Sequence, residues 1–371
     1  MSIVLLQQSL LFFIGACALS FFLAPILIKI LYKFNVTRRS EYDFTLYGDR
    51  ALKVGTPIMG GLLVILVVTA ITLIFNWNRK YTYVPMGVMG IAALLGAADD
   101  LLNIFGAKRR LRTLQQTLTL IKVHRNWHVR LWYILTLPWA WFKRATHMFG
   151  SHPGRGIQVH EKLFFQFLAG SVAAWWVYTK LAPNWHMLNI PMDGNWDAGW
   201  LIIPIIILFV MFTANAVNIA DGLDGLAGGS LLITFIGLTV LSWIEGRTAF
   251  APFNATIAGA LLAYTYFNVK PARFQMGDVG SLGLGALLAI NMIAIDKTLY
   301  IPIFGFIFFV EAIVVILQVL SRRLFGRRLF KMAPLHHHFE FLGWSEEKIV
   351  MRFWIIHALV VVIGIWMAIY K

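Results

Sequence analysis

Residues 200–225, WLIIPIIILFVMFTANAVNIADGLDG, decide the fold of this chain. The stretch begins with an apolar run, at about residues 199–217, that is long enough to cross a bilayer as a helix of roughly 20 residues. Apolar side chains cover every side of this helix, and a helix satisfies its backbone amides internally, as a membrane requires. We therefore predict a transmembrane helix that ends in two asparagines and two aspartates.

Nine further apolar stretches of comparable length accompany this one, at residues 3–31, 58–75, 84–102, 163–180, 226–244, 252–267, 281–295, 299–320 and 350–370. The 371 residues are 59% hydrophobic and 13% charged, which is too apolar for a soluble domain. Cys17 is the only cysteine, so a disulfide scaffold is excluded. The sequence predicts an all-α polytopic integral membrane protein with about ten transmembrane helices, built as a single domain over residues 1–371.

The net charge of +15 indicates orientation in the membrane and not a nucleic-acid partner. Most Lys and Arg fall in alternate loops, which marks those loops as cytoplasmic and puts both termini on the outer side. An eleventh apolar run at residues 127–142 is short, rich in Trp and flanked by basic residues. It lies in a basic insertion at about residues 113–152, and we predict that it rests in the membrane interface without crossing.

Five aspartates lie at the predicted cytoplasmic ends of spans, where a charge is costly and therefore marks function. They are Asp99, Asp100, Asp221, Asp224 and Asp278. The adjacent pair at 99 and 100 ends a helix and needs a cation beside it, either a metal or nearby basic side chains. Most other acids, including Glu340, Glu346 and Glu347, are predicted to be solvated in loops, whereas Glu311 lies inside the ninth span with no role decided.

Three glycine-containing motifs lie near these aspartates. In NAVNIADGLDG (215–225), amide and carboxylate oxygens suit a hard cation with attached phosphates, and helix capping is the alternative. In QMGDVGS (275–281), Asp278 is either an N-cap or part of a turn that holds an anion. In LKVGTPIMGG (52–61), which includes Lys53 and Thr56, ordinary helix initiation at Pro57 is the alternative to a binding turn.

Three consecutive histidines stand in APLHHHFE (333–340), inside a basic loop. Zinc usually takes ligands whose spacing lets them converge, and no cysteine accompanies these histidines. Donation to phosphate or proton transfer near neutral pH is the better hypothesis, and a solvated loop is the remaining alternative.

Together these segments resemble the polyprenyl-phosphate N-acetylhexosamine-1-phosphate transferase superfamily. KVGTPIMGG, ADD, NAVNIADGLDGLA, FNVKPARFQMGDVGS and RLFKMAPLHHHFE occur in the order found there, and PLHHHFE favours the muramoyl branch. The resemblance implies Mg²⁺-dependent transfer of phospho-MurNAc-pentapeptide from UDP-MurNAc-pentapeptide to undecaprenyl phosphate, giving lipid I and UMP. It implies a multi-pass protein of the bacterial inner membrane with its active site on the cytoplasmic face, and it allows a homodimer.

The resemblance also implies residue roles. Asp278 would be the principal Mg²⁺ ligand together with Asp221, Asp99 a base toward the lipid phosphate with Asp100 as its acidic partner, and His336 a catalytic residue. Because the lipid phosphate is already ionised, we favour direct attack over a covalent aspartyl intermediate. The implied substrate-binding residues are Lys53, Thr56, Asn215, Asn218, Asp221, Asp224, Asn268, His337, His338 and, in place of a family Lys, Arg155.

The chain departs from the family pattern at several positions. Gln275 stands where the family has an aromatic residue that stacks on uracil, so either this stacking is lost or Phe274 has taken it over. Ile58 replaces a Thr, and residues 108–112 are expected to supply basic groups missing from the loop after Asp100. Two alternative functions are a polyprenyl-phosphate GlcNAc-1-phosphate transferase and, more remotely, a membrane transporter, which would require inverted repeats.

Overall fold

The computed structural model describes residues 3–38, 53–106, 113–147, 156–180 and 186–370. Fifteen α-helices and one hairpin of two strands are present among these residues. The helices are α1 (Ile3–Lys33), α2 (Gly61–Phe75), α3 (Tyr83–Phe105), α4 (Leu114–Val123), α5 (Trp127–Leu135), α6 (Leu137–His147), α7 (Val159–Lys180), α8 (Ile202–Ala220), α9 (Leu226–Ile244), α10 (Phe250–Asn268), α11 (Gly277–Ala294), α12 (Ile301–Phe304), α13 (Phe306–Leu324), α14 (Leu335–Phe341) and α15 (Glu346–Ile369).

The predicted helical membrane protein is confirmed in outline. Each of the ten predicted spans contains a helix. Within the described residues, length and hydropathy qualify six segments to cross a membrane, namely α1, α3, residues Gly199–Ala220, α9, α11 and α15. The segments Thr298–Phe304 and Phe306–Leu324 meet at 86° and would together make a seventh. The count of ten and the sidedness of the helices stay predictions.

The two-stranded hairpin is the exception to the all-α prediction. Strand β1 (Met187–Ile190) pairs antiparallel with β2 (Gly194–Asp197), with Leu188 opposite Trp196. The turn between the strands has a positive φ angle at Met192 (65°), and β2 begins at Gly194, whose φ is 86°. Strands of four residues in a loop carry too short an alternating pattern to be recognised from the sequence.

The described part of the basic insertion folds into α4, α5 and α6. The apolar run at residues 127–142 is divided at Thr136, with Pro138 in the first turn of the following helix, where proline is tolerated. The resulting helices of 9 and 11 residues are too short to cross a bilayer. Trp139 packs edge-on against Phe164 at 6.0 Å, which attaches α6 to α7.

Helix α11 forms the centre of the bundle. Every residue from 279 to 295 is buried, and α3, α8, α2 and α9 contact it. Small residues permit this packing: a Cβ added at Gly96 of α3 would collide with backbone atoms of Asp278 and Val279. The same close approach brings the carboxylates at the end of α3 to the first turn of α11.

We expect Gly96→Ala to destabilise the protein by about 1–3 kcal/mol, because the colliding atoms are backbone and the helices must separate. Turnover should fall as well, since α3 and α11 would no longer hold their carboxylates together. Gly90→Ala on the same helix is the matched control, because a Cβ there meets no atom within 4 Å. Thermal unfolding and turnover in detergent test both variants, and equal behaviour of the two would contradict the packing argument.

Candidate active site

The ends of several helices meet at one end of the bundle, which we refer to as the site end. Its centre is a group of four residues, the central cluster, formed by Asp99, Lys162, Asn218 and Asp278. The ammonium of Lys162 lies 2.5 Å from Oδ2 of Asp99 and 2.8 Å from Oδ2 of Asp278. Asn218 Nδ2 donates to Oδ1 of Asp278 at 2.8 Å. The structure therefore brings three of the predicted site residues together around a lysine.

Asp99 is buried at the centre of this cluster. Its Oδ1 accepts a hydrogen bond from the backbone amide of Ile157 at 2.5 Å, and its Oδ2 accepts one from Asn103 Nδ2 at 3.2 Å. With Lys162, three donors converge on one carboxylate. These hydrogen bonds fix the position of the carboxylate. They also tie the segment before α7 to the end of α3.

Asp100 faces a different environment from its neighbour. Its two carboxylate oxygens accept the backbone amides of Asp278 (3.1 Å) and Val279 (3.0 Å). These amides belong to the first turn of α11, where donors have no partner within the helix. Gly277, just before them, has a φ of +72° that favours glycine. Asp100 thus fixes the backbone that carries Asp278. The catalytic role predicted for Asp100 stays a prediction.

Asp221 lies at the break between α8 and α9, next to the central cluster. Its Oδ2 accepts the backbone amide of Gly277 at 3.2 Å. Burial raises the pKa of Asp221 to about 7, and the nearby carboxylate of Asp278 adds to the increase. The two residues predicted as metal ligands are therefore neighbours in the structure.

A second group, the Lys53 network, lies beside the break and consists of Lys53, Asp224, Lys270 and Glu346. The Lys53 ammonium contacts Oδ1 of Asp224 at 2.8 Å and Oε1 of Glu346 at 2.5 Å. Glu346 also accepts the backbone amide of Asp224 at 2.6 Å, and Lys270 lies 3.5 Å from its Oε2. The prediction of a solvated Glu346 is wrong, because it is 5% exposed at the start of α15 and neutralises a buried lysine.

Glu311 organises the histidine segment. Its carboxylate accepts the backbone amides of Leu335 (2.6 Å) and His336 (3.1 Å), and Oε1 lies 3.2 Å from Nδ1 of His336. Both Glu311 and His336 are fully buried. A Cβ at Gly222 would touch Nε2 of His336, so this imidazole lies against the residue after Asp221. The undecided role of Glu311 is thereby answered as an anchor for His336.

Of the other two histidines, His337 lies against His336, with their Nε2 atoms 3.2 Å apart. His337 pairs with Glu340 through Nδ1 at 2.6 Å, and the Glu340 side chain is 28% exposed, which is consistent with the prediction that it is solvated. His338 packs its ring edge-on against Phe330 at 5.9 Å. No group of three or more His, Cys, Asp or Glu poised to hold a metal ion occurs among the residues the structure describes, in the histidine segment or elsewhere.

Several predicted substrate-binding residues bind protein groups instead of facing the central cluster. Asn215 donates to Gln166 Oε1 and to the Met211 carbonyl, both at 2.7 Å. Asn268 is buried and links the Gly225 amide to the Phe274 carbonyl. Arg155 and residues 108–112 lie outside the described residues.

The loop before α2 approaches the site end from the other side. Arg38 Nη1 donates to Gln275 Oε1 at 3.2 Å, so this glutamine takes part in an interaction between loops. Thr56, also half-buried, accepts the Arg38 amide at its carbonyl and lies in the short antiparallel bridge between Thr37 and Pro57. These contacts keep residues 275 and 56 at the rim of the site.

Phe274 is buried in the core and does not expose its ring. It is 0% exposed and packs against Phe267 and Tyr264, with ring centroids 6.3 and 5.2 Å away. Its edge also fills the space above Gly60. A ring enclosed on these sides has no free face for a base, so Phe274 is part of the core in this structure.

Sequence reasoning missed Lys162 as a site residue. Lys162 lies in VHEKLFF at the start of a span, where a basic residue is expected from membrane topology alone. Its proximity to two acidic motifs, 63 residues before it and 116 after it, comes only from the packing of α3, α7 and α11.

Comparison with known proteins identifies the family. The sequence pattern of glycosyl transferase family 4 matches residues 154–296. The phospho-N-acetylmuramoyl-pentapeptide-transferase of Thermoanaerobacter sp. (strain X514) is 32% identical over 355 residues, which are 95% of this chain and 96% of that protein. The chain belongs to the phospho-N-acetylmuramoyl-pentapeptide-transferase family. The transferase of Levilactobacillus brevis is 33% identical over 327 residues, 86% of each chain.

Membership in the phospho-N-acetylmuramoyl-pentapeptide-transferase family agrees with the motif order in the sequence. A third relative, the transferase of Chloroflexus aurantiacus, is 33% identical over 329 residues, 85% of this chain and 78% of that protein. The matched pattern at residues 154–296 includes Lys162, Asn218, Asp221 and Asp278. Three of the four residues of the central cluster therefore lie in the segment that matches glycosyl transferase family 4.

Proposed function

We propose that this protein transfers phospho-MurNAc-pentapeptide from UDP-MurNAc-pentapeptide to undecaprenyl phosphate, forming lipid I and releasing UMP. The observation that carries the proposal is the convergence of Asp99, Lys162 and Asp278 at one end of the bundle in a member of this family. Acids at the end of a bundle can serve a substrate dissolved in water and a substrate anchored in lipid at the same time.

The donor atoms near Asp278 fit a Mg²⁺ ion. Asp278 and Asp221 offer carboxylate oxygens, and the Asp278 side chain is 22% exposed, so it can be reached from outside. Mg²⁺ is commonly held by one or two carboxylates, with water and substrate phosphates completing an octahedron. We propose that these two residues hold Mg²⁺, which when bound neutralises phosphate charge and acts as a Lewis acid.

The remaining chemistry follows from the side chains themselves. Two anions must approach each other, so positive charge and alignment lower the barrier. Lys162 supplies a cation beside Asp278, Asn218 holds one oxygen of that carboxylate, and Asp100 fixes its backbone. A phosphate monoester is mostly dianionic at neutral pH, since its second pKa is about 6. The lipid phosphate can therefore attack the donor pyrophosphate directly.

His336 packs against the segment that carries Asp221. Its ring is fully buried between Glu311 and Gly222, so it steers the backbone that carries Asp221. The catalytic assignment of His336 stays a prediction. In this proposal its contribution comes through the position of the break between α8 and α9.

The deciding experiment uses purified full-length protein with undecaprenyl phosphate and either UDP-MurNAc-pentapeptide or UDP-GlcNAc, with Mg²⁺ or with EDTA. We expect UMP release only with the muramoyl donor and Mg²⁺. Turnover of UDP-GlcNAc but not of the pentapeptide donor would replace the proposal with the GlcNAc-1-phosphate alternative. Full turnover in EDTA would remove the metal from the proposal.

The cellular setting follows from this function. We propose a multi-pass protein of the bacterial inner membrane whose site end faces the cytoplasm, where UDP-sugars are available. The insertion with α4 to α6 would then lie in the headgroup region, since Trp127 and Trp132 are each 65% exposed. A homodimer and the single-domain organisation stay predictions.

A further inference from the structure

Lys162 occupies the space between two carboxylates of the proposed metal site. Its ammonium touches Oδ2 of Asp99 at 2.5 Å and Oδ2 of Asp278 at 2.8 Å. The pair is partly accessible, because the side chains of Lys162 and Asp278 are each 22% exposed. A single charged group therefore bridges the acids from α3 and α11 at the mouth of the site.

An ammonium and a divalent cation compete for such oxygens. Both are attracted by the same pair of negative charges, and two cations at contact distance from each other repel strongly in a partly desolvated site. The oxygen of Asp278 that Lys162 contacts is lost to a metal while the ion pair lasts. Asn218 holds the other oxygen of Asp278, so that oxygen also has a partner.

We propose that Lys162 is a resident counter-cation that leaves Asp278 when the metal binds and then pairs with a phosphate of the bound donor. This inference rests on the proposed function. It adds a second position for the Lys162 side chain, in which the ammonium contacts the bound donor instead of Asp278. In the state described here Lys162 offsets part of the negative charge of two facing carboxylates, which preserves the closed packing of α3 against α11. In the other state the same charge serves the reacting anions.

The competing interpretation is a permanent ion pair that only holds helices together. The two interpretations predict opposite changes in metal affinity when the charge of Lys162 is removed. If Lys162 is a permanent ion-pair partner, removing its charge lets α3 and α11 separate and weakens metal binding. If Lys162 competes with the metal, removing its charge strengthens metal binding even though turnover falls.

The test measures Mn²⁺ binding to the full-length protein in detergent by electron paramagnetic resonance, without substrates. We expect Lys162→Met to bind Mn²⁺ about tenfold more tightly than the wild type, because a contacting positive charge is gone. Lys162→Arg keeps the charge and should bind Mn²⁺ like the wild type. Lys270→Met is the matched control, since it removes one charge from the Lys53 network at the same end and should change the affinity less than about twofold.

Each outcome decides between the interpretations. Three results would overturn the proposal that Lys162 gives way to the metal. Lys162→Met could bind Mn²⁺ no more tightly than the wild type, Lys270→Met could tighten Mn²⁺ binding as much as Lys162→Met does, or neither the wild type nor Lys162→Met could bind Mn²⁺. A Mn²⁺-dependent increase in the melting temperature verifies that Lys162→Met is folded. Asp278→Asn tests the proposed metal site separately from the proposed movement of Lys162. If this variant still binds Mn²⁺, the assignment of Asp278 as a metal ligand is wrong, whatever Lys162 does.

Discussion

Asp278→Asn should lower turnover at least about 1,000-fold, because it removes a charged oxygen from the proposed Mg²⁺ site. The substitution keeps the shape of the side chain, and Asn218 can still donate to its oxygen. The backbone amide of residue 278 still reaches Asp100. We therefore expect a folded protein without activity, measured as UMP release and as melting temperature in detergent.

Asp296→Asn is the control for this variant. Asp296 follows the opposite end of α11, where it pairs with Arg247 at 2.8 Å and its side chain is 65% exposed. The same chemical change there should leave turnover near the wild-type level. An Asp278→Asn enzyme that keeps a tenth or more of its turnover would exclude Asp278 as the principal metal ligand.

Glu346→Ala should destabilise the protein by about 3–5 kcal/mol, the usual cost of leaving one member of a buried ion pair without its partner. Lys53 would keep Asp224 but lose its contact with Glu346 at 2.5 Å, and the Asp224 amide would lose its acceptor. Chemical unfolding in detergent measures the loss. Donor binding should weaken too, because the Lys53 network holds the break that carries Asp221.

Glu347, the residue after Glu346, provides the control for the Glu346→Ala variant. Glu347 pairs with Lys270 at 3.2 Å but is 47% exposed, and exposed ion pairs contribute about 0–1 kcal/mol. Glu347→Ala should therefore unfold almost like the wild type. If both variants lose the same stability, the effect comes from the start of α15 in general and not from the buried pair.

The sequence predicted the helices well because membrane helices are specified locally. An apolar run such as residues 226–244 must form its hydrogen bonds within itself, whatever its neighbours are. The shared position of Asp99, Asp221 and Asp278 at one end could also be predicted, since alternating spans place every second loop on the same side. These predictions need no knowledge of which helix packs against which.

The partners of each charge could not be predicted, because they depend on packing between distant segments. Asp99 and Asp100 are adjacent in sequence, yet one joins Lys162 and the other holds amides of α11. Glu346 resembles any acid in the first turn of a helix, and only the structure shows that Lys53 is its buried partner. The sequence left open whether Phe274 stacks on a base, and the structure places its ring in the core.

Helix α11 has the hydropathy of a membrane span but no surface left for lipid. Its residues from 279 onward are all buried, and 89% of the residues in Gly277–Ala294 are buried inside the protein. Changes in bilayer thickness or lateral pressure act on the outer helices and reach α11 only through them. The residue proposed to bind the metal is thus anchored in the part of the protein that is mechanically most isolated from the membrane, while its lipid substrate arrives from that membrane.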